Sequence, residues 1–145
     1  MQFNDEYFMK KALFYANKAY LEGEVPVGAI IVIENKIIAR AYNQIEKLND
    51  VTAHAEMLAL TSASNFTNSK YLNQCSIYST LEPCYMCAGA LLLSKIGTII
   101  YSTSDPENGG FSNGIELSKN TTIRKGILLD ESKALIKKFF KGKRI

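Results

Sequence analysis

The chain contains a single histidine, His54, and three cysteines, two of which, Cys84 and Cys87, lie only three residues apart. The runs His-Ala-Glu at residues 54–56 and Pro-Cys-Tyr-Met-Cys at residues 83–87 each stand at the predicted start of a helix. A site that joins imidazole, carboxylate and thiols therefore requires a fold that brings two distant helix starts together.

These side chains have the character of a metal site. Cys84 and Cys87 at positions i and i+3 share one helix face, so both sulfurs can bind one ion. A helix N-terminus also lowers a thiol pKa, which favours the thiolate that binds metal. Thiolate and imidazole together suit Zn²⁺, and three protein ligands including His54 leave a fourth tetrahedral position for water, as in catalytic zinc sites.

Glu56 is the natural base for such a water. Residues two apart on an ideal helix point about 160° away from each other, so this role requires His54 to lie in an irregular first turn. Two alternatives stay open: a structural zinc closed by Cys75 as fourth ligand, or two buried cysteines with an unrelated histidine. Cys75 lies in a strand-like run, where a small core residue is expected.

Composition predicts the setting of this site. The chain has 145 residues, 47% of them apolar, and a net charge of +3, which predicts one compact domain over 1–145. No apolar run reaches the roughly 20 residues of a membrane span, and the N-terminus has acids where a signal peptide has bases. An odd cysteine count argues against disulfides, so we expect a cytoplasmic protein.

Helical and strand patterns alternate along the chain. We expect helices over 5–22, from an N-cap at Thr52 through Leu60, from Pro83 through Leu92, and over 130–141. Strands are predicted at 29–33, 37–39, 75–80, 98–101 and, more weakly, 121–129, with a tight turn at residues 34–35. This order predicts an α/β fold with a mixed or mostly parallel sheet between helical layers.

Two further segments are candidates for substrate contact. The stretch 102–113 is rich in Asp-Pro and Asn-Gly pairs, so a surface loop is predicted. Residues 131–145 carry six bases and one acid, a net charge of +5, so the other 130 residues sum to −2. This end of the chain is either a phosphate-binding surface or an ordinary solvated helix face. Of the adjacent Phe139 and Phe140, only one can readily face the core.

Extended motifs resemble the zinc nucleoside deaminases. Glu-Val-Pro-Val-Gly-Ala at 24–29, Thr-Ala-His-Ala-Glu at 52–56 and Thr-Leu-Glu-Pro-Cys-Tyr-Met-Cys-Ala-Gly-Ala at 80–90 are similar in particular to the bacterial tRNA-specific adenosine deaminases. The resemblance implies a three-layer α/β/α sandwich with about five strands, normally a homodimer. It also implies hydrolysis of the wobble adenosine of a tRNA anticodon stem-loop to inosine, with one Zn²⁺ per subunit.

The same resemblance implies roles for single residues. His54, Cys84 and Cys87 would hold zinc, and Glu56 would move protons. Further matching positions are Asn43 for the target nucleoside, Asp105 for the RNA backbone near it, and Pro26, Val25 and Leu81 for the pocket wall. Asn43 and Asp105 are also ordinary turn residues, and core packing explains Val25 and Leu81 equally well.

The chain departs from the family pattern on the substrate side. Val51 replaces a usual proline, Tyr85 replaces a small aliphatic residue, and the stretch 110–126 is shorter than usual. A deaminase of a free nucleoside or base, of cytidine or guanine type, therefore stays an alternative, as does a non-enzymatic protein with a structural zinc.

Overall fold

A computed structural model describes residues 3–143 of the chain. Arg144 and Ile145, which the charge pattern assigns to the basic C-terminal segment, lie outside the described residues. The helices are α1 (Asp5–Leu21), α2 (Ile45–Leu48), α3 (Ala55–Thr67), α4 (Tyr85–Leu93) and α5 (Leu129–Lys143). The strands are β1 (Gly28–Ile33), β2 (Lys36–Tyr42), β3 (Ser76–Leu81), β4 (Thr98–Thr103) and β5 (Thr122–Lys125).

The five strands form one mixed sheet in the order β2-β1-β3-β4-β5. β1 pairs antiparallel with both β2 and β3, whereas β3, β4 and β5 run parallel. Glu34 and Asn35 both have positive φ angles, 47° and 62°, which is the backbone of a tight hairpin turn. The predicted mixed sheet of about five strands is confirmed.

Helices cover both faces of this sheet. Alternate residues of the central strands, such as Ile31 and Ile77, pack with α3 and α4, and their neighbours Ile30 and Tyr78 pack with α1. α5 lies beside α1 and contacts β4. Successive side chains of a strand point to opposite faces of the sheet, so both faces are apolar and each is covered by helices. The fold therefore has the three layers, α/β/α, that were predicted. Within residues 3–143, every helix is too short or too polar to cross a membrane.

Several predicted boundaries are wrong by a few residues. Thr52 does not cap α3, because both its N–H and its hydroxyl donate to Asp50 Oδ1 in a preceding turn, at 2.8 Å each. The N-cap is His54. α4 likewise begins at Tyr85, two residues after Pro83.

The C-terminal half of the predicted last strand is also wrong. β5 stops before Gly126, whose φ of 87° and hydrogen bonds to the end of β4 turn the chain toward α5. The four-residue helix α2 had no prediction, because one helical turn is too short to show a periodic pattern.

Candidate metal and deaminase site

The N-termini of α3 and α4 meet at the end of the sheet where β3 finishes. His54 is the N-cap of α3 and Cys84 the N-cap of α4, and both have extended backbones. Cys87 lies in the first turn of α4 and is fully buried. His54 Nδ1 is 3.6 Å from the Sγ atoms of both Cys84 and Cys87. His54 therefore lies outside the regular helix, as the role predicted for Glu56 requires.

The three donor atoms fit a zinc ion. Zn–S bonds of about 2.3 Å and Zn–N bonds of about 2.0–2.1 Å at tetrahedral angles place nitrogen and sulfur about 3.6 Å apart, which matches the two observed separations. Among residues 3–143, no other cysteine and no carboxylate joins this group as a fourth ligand. Cys75 is buried in the core beside Ile77 and Leu72, so it does not close the site as a fourth ligand.

The pKa values of the two cysteine thiols are shifted in opposite directions. Hydrogen bonds from Cys87 and His54 lower the pKa of Cys84 to about 4. The pKa of Cys87 is raised, because its thiol hydrogen-bonds Cys84 and because it is buried. The Cys84 thiolate in turn raises the pKa of His54. The lowered pKa of Cys84 favours its thiolate form, whose negative charge attracts a cation.

Glu56 is buried beside this group, with 3% of its surface exposed. Burial raises the pKa of its carboxyl to about 7. A carboxyl group with a pKa near 7 can accept and return a proton near neutral pH. Glu56 shares a cavity with His54 and Cys84.

That cavity has a volume of about 780 Å³ and walls from four parts of the chain. The first wall consists of the His/Cys/Cys group and Glu56. The second wall consists of the ends of β2 and β3 and the segment before β1. The loop after β4 and one stripe of α5 complete it. Its remaining lining residues are Val25, Val27, Asn43, Ile45, Leu81, Glu82, Thr103, Ser104, Asp105, Glu107, Asn108, Lys133, Ile136, Lys137 and Phe140.

The predicted substrate residues have different positions around the cavity. Asn43 is buried and lines it, and its Oδ1 accepts a hydrogen bond from the Ala55 N–H at 2.8 Å. Within residues 3–143, the Asn43 side-chain NH₂ has no hydrogen-bond partner. Val25 and Leu81 also line the cavity, whereas Pro26 is fully buried and does not.

Asp105 lines the cavity and also acts as a turn residue, because its Oδ1 accepts from the Asn108 N–H at 3.1 Å. Of the adjacent pair, Phe139 is buried and Phe140 is 48% exposed at the cavity, which confirms that only one faces the core.

Sequence reasoning missed Glu82 and Ile136 as cavity residues. Glu82 stands directly before the Pro-Cys motif, yet nothing in the sequence marks it as buried rather than solvated. The basic segment that contains Lys133, Lys137 and Phe140 was a predicted candidate for substrate contact, and these residues line the cavity with Ile136. All four lie three and four residues apart on α5, so the helical period could have placed Ile136 on the same face.

A mixed α/β/α sandwich with a three-ligand His/Cys/Cys group and a buried carboxyl beside it defines a zinc-binding deaminase. The family model for the cytidine and deoxycytidylate deaminase zinc-binding region matches residues 2–103. The chain belongs to this family, within its branch of tRNA-specific adenosine deaminases.

Individual relatives show how far the similarity extends. The chain is 46% identical over 141 residues to the tRNA-specific adenosine deaminase of Aquifex aeolicus, covering 94% of this chain and 93% of the relative. It is 42% identical over 146 residues to that of Buchnera aphidicola subsp. Schizaphis graminum, covering 97% and 96%. A solved structure from a study of A-to-I editing by tRNA:A34 deaminases at the wobble position of transfer RNA has a TM-score of 0.82 at 34% identity, covering 89% of this chain and 98% of that one.

Proposed function

We propose that this chain is a single-domain enzyme that hydrolyses adenosine to inosine at the wobble position of a tRNA anticodon. The names of the relatives support the substrate. The observation that carries the proposal is one cavity that joins the His/Cys/Cys group and Glu56 to a wall formed by a basic helix.

His54 Nδ1 and the Sγ atoms of Cys84 and Cys87 would hold one Zn²⁺ per chain. In such a three-ligand site the metal acts as a Lewis acid that makes water nucleophilic near neutral pH. His54 and Cys84 are N-caps with extended backbones, so neither is held in the regular geometry of its helix. Their side chains can therefore point at one ion from two different helices.

Glu56 would carry the proton. Its carboxylate takes a proton from the water whose oxygen bonds to C6 of adenine, and then returns that proton to the amino nitrogen. The water's other proton ends on N1 of the purine ring, where inosine carries a hydrogen. The C6–N bond breaks, so one adenosine and one water give one inosine and one ammonia. Burial raises the pKa of this carboxyl, which favours the protonated form that returns the proton.

The cavity would orient a single base. The Asn43 side-chain NH₂, which has no hydrogen-bond partner among residues 3–143, can donate to the nucleoside. Val25 and Leu81 offer apolar surface to the base, and Pro26 is buried next to Val25. Asp105, which also lines the cavity, would contact the RNA backbone next to the target nucleoside. A cavity of about 780 Å³ holds a nucleoside but no duplex, so the base must leave its stack.

α5 would bind the rest of the RNA. Lys133 and Lys137 line the cavity, and within residues 3–143 neither has an acidic partner, so both can neutralise phosphates. The exposed ring of Phe140 can stack on a flanking base. Binding should therefore weaken steeply as salt is raised.

The direct test is incubation of the zinc-loaded protein with an anticodon stem-loop that carries the wobble adenosine. Parallel reactions contain the same stem-loop with guanosine at that position, or free adenosine, cytidine or guanine, and inosine or ammonia is measured. We expect conversion of the adenosine stem-loop alone. Conversion of a free nucleoside or base without the stem-loop would refute the tRNA assignment.

A variant separates chemistry from metal binding. Glu56→Ala should abolish turnover while zinc content stays near one per chain, because Glu56 is not part of the metal-binding group. Turnover comparable to the wild-type protein would refute the proton-transfer role.

We also propose a homodimer that acts in the cytoplasm, where the reduced thiols and the tRNA substrate belong. A second cavity lies between α3 and α4 on the outer surface. Its lining residues include Leu60, Tyr71, Ala90 and Leu93, the last 80% exposed, with polar residues such as Ser64 and Asn65 beside them. Such an apolar face suits a second copy of the chain. Leu93→Glu should yield a monomer by light scattering, whereas Leu21→Glu, at an equally exposed leucine on α1, should not. A dimeric Leu93→Glu would refute this interface.

A further inference from the structure

The buried carboxylate of Glu24 is bonded to the backbone of a different element. Glu24 follows α1 and is only 2% exposed. Its Oε1 accepts from the Glu46 N–H at 3.1 Å and its Oε2 from the Lys47 N–H at 2.9 Å. Both donors belong to the first turn of α2.

These two amides have no partner within their own helix. The first N–H groups of any helix lack intrahelical acceptors, and the N-cap residue Gln44 makes no side-chain capping bond. Glu24, about 20 residues earlier in the chain, takes the place of that missing cap. A negative charge at a helix N-terminus adds favourable electrostatics.

The segment that Glu24 holds leads from the nucleoside pocket to the metal group. Residues 43–54 begin at Asn43 and end at His54, with Ile45 of α2 in the cavity wall between them. Between its two ends, this segment is joined by side-chain hydrogen bonds to the α1–β1 connection, residues 22–27, in two ways. The Lys47 side chain donates to Glu22, and the Glu46 and Lys47 backbone N–H groups donate to Glu24. Glu24 is itself fixed, because its N–H donates to the Ala19 carbonyl of α1 at 3.0 Å.

We propose that Glu24 is a positioning residue for substrate binding, acting through α2 on Ile45 and Asn43; this rests on the proposed function of the cavity. The carboxylate keeps the segment in its binding-competent conformation, so less ordering is required when the nucleoside enters. Removing it leaves the competent state only partly populated, which weakens binding in proportion. The proton-transfer chemistry at Glu56 is left in place.

The test compares Glu24→Gln with Glu22→Gln. Glu22 is an exposed carboxylate on the same connection that contacts α2 only through the Lys47 side chain, at 3.3 Å. For Glu24→Gln we expect a KM for the anticodon stem-loop about tenfold higher, a kcat within about threefold, and an unchanged zinc content. Glu22→Gln should match the wild-type protein.

Amide hydrogen exchange gives a readout that does not depend on activity. The Glu46 and Lys47 amides should exchange about tenfold faster or more in Glu24→Gln, because Glu24 is their acceptor. Amides of the sheet should be unaffected. If Glu24→Gln folds poorly, Glu24→Asp keeps the charge with a shorter reach and should show the same changes, smaller in size.

The outcomes separate the two proposals. A KM for Glu24→Gln within about twofold of that for Glu22→Gln overturns the positioning role, and so does a fall in kcat alone. If the wild-type protein and Glu22→Gln both fail to deaminate the stem-loop, the proposed function fails and the substrate-positioning role fails with it. Unchanged exchange of the two amides would overturn the anchoring of α2 in either case.

Discussion

Replacing Glu82 with glutamine should release the loop that follows β4. Glu82 is 2% exposed and binds this loop at both of its oxygens. Oε1 accepts from the Asp105 N–H at 3.0 Å and from the Ser112 hydroxyl at 2.6 Å, and Oε2 accepts from the Ser112 N–H at 2.8 Å. Glutamine has nearly the same shape but only one accepting oxygen and no charge.

The size of the effect follows from these bonds. With the amide oxygen in the Oε1 position, the glutamine NH₂ faces the Ser112 N–H, which therefore loses its acceptor. The Asp105 N–H and the Ser112 hydroxyl still donate to an oxygen, but that oxygen is now neutral. A hydrogen bond to a charged group contributes about 1.5–3 kcal/mol and a neutral one about 1 kcal/mol. Ser112 is exposed, so water replaces part of the loss. We expect a decrease of about 2 kcal/mol in the free energy of unfolding, or about 7 °C in Tm for a domain of this size.

Urea titration of the zinc-loaded proteins measures this difference, with Glu116→Gln as a control at an exposed carboxylate later in the same β4–β5 connection. Ser112→Ala, which removes only the hydroxyl donor, should cost about 1 kcal/mol or less. Amide exchange should accelerate at Asp105 and Ser112. A free energy of unfolding for Glu82→Gln within about 0.5 kcal/mol of the wild-type value would refute the reasoning.

Three other perturbations test the packing, the charges and the metal. Gly28→Ala should cost about 3 kcal/mol or leave the protein insoluble, since a Cβ there would lie 2.1 Å from the Ala12 carbonyl oxygen of α1; expression and thermal unfolding check this. Asp5→Asn should cost about 1 kcal/mol at neutral pH by removing the paired hydrogen bonds from Arg124 at 2.7 and 2.8 Å. Because Arg124 holds the pKa of Asp5 below its ordinary 3.8, the folded state binds fewer protons, so this contribution is present above about pH 4 and is lost as pH falls through the lowered pKa. Urea titrations across that range should show the gap between the two proteins closing, and a constant gap would contradict the assignment. Removing zinc with a chelator should lower Tm by several degrees and restoring zinc should reverse it, because a ligand that binds only the folded state at about 100 times its Kd adds about 2.7 kcal/mol.

The elements with a clear period were predictable. The sequence predicts, to within a few residues at their ends, the helices α1, α3, α4 and α5 and the strands β1 to β4. Burial of one face of each element imposes a period of 3.6 or 2 on its apolar residues. The α2 turn and the C-terminal limit of β5 were not predictable in this way. Their positions depend on Glu24 bonding to α2 and on Gly126 turning the chain beside β4, contacts between residues that are far apart in sequence.

For the site, the list of candidate metal ligands was predictable because the chain has so few histidines and cysteines. One histidine and one closely spaced cysteine pair leave a single set that contains both nitrogen and sulfur, and the structure places His54 Nδ1 3.6 Å from the sulfur atoms of both cysteines. The roles of Asn43, Asp105, Val25, Leu81 and Pro26 stay predictions.

The sequence by itself determined the chemistry: the donor atoms, the carboxyl beside them and the basic end of the chain, since these depend only on which side chains exist and how they are spaced. The tertiary structure decided the environment of those groups. Burial raises the pKa of Glu56, and α5 packs beside α1 so that Lys133 and Phe140 reach the same cavity. Glu24 and Glu82 read alike in sequence, as carboxylates near motifs, and only the backbone donors that fold against them make each a buried anchor for one wall of the cavity.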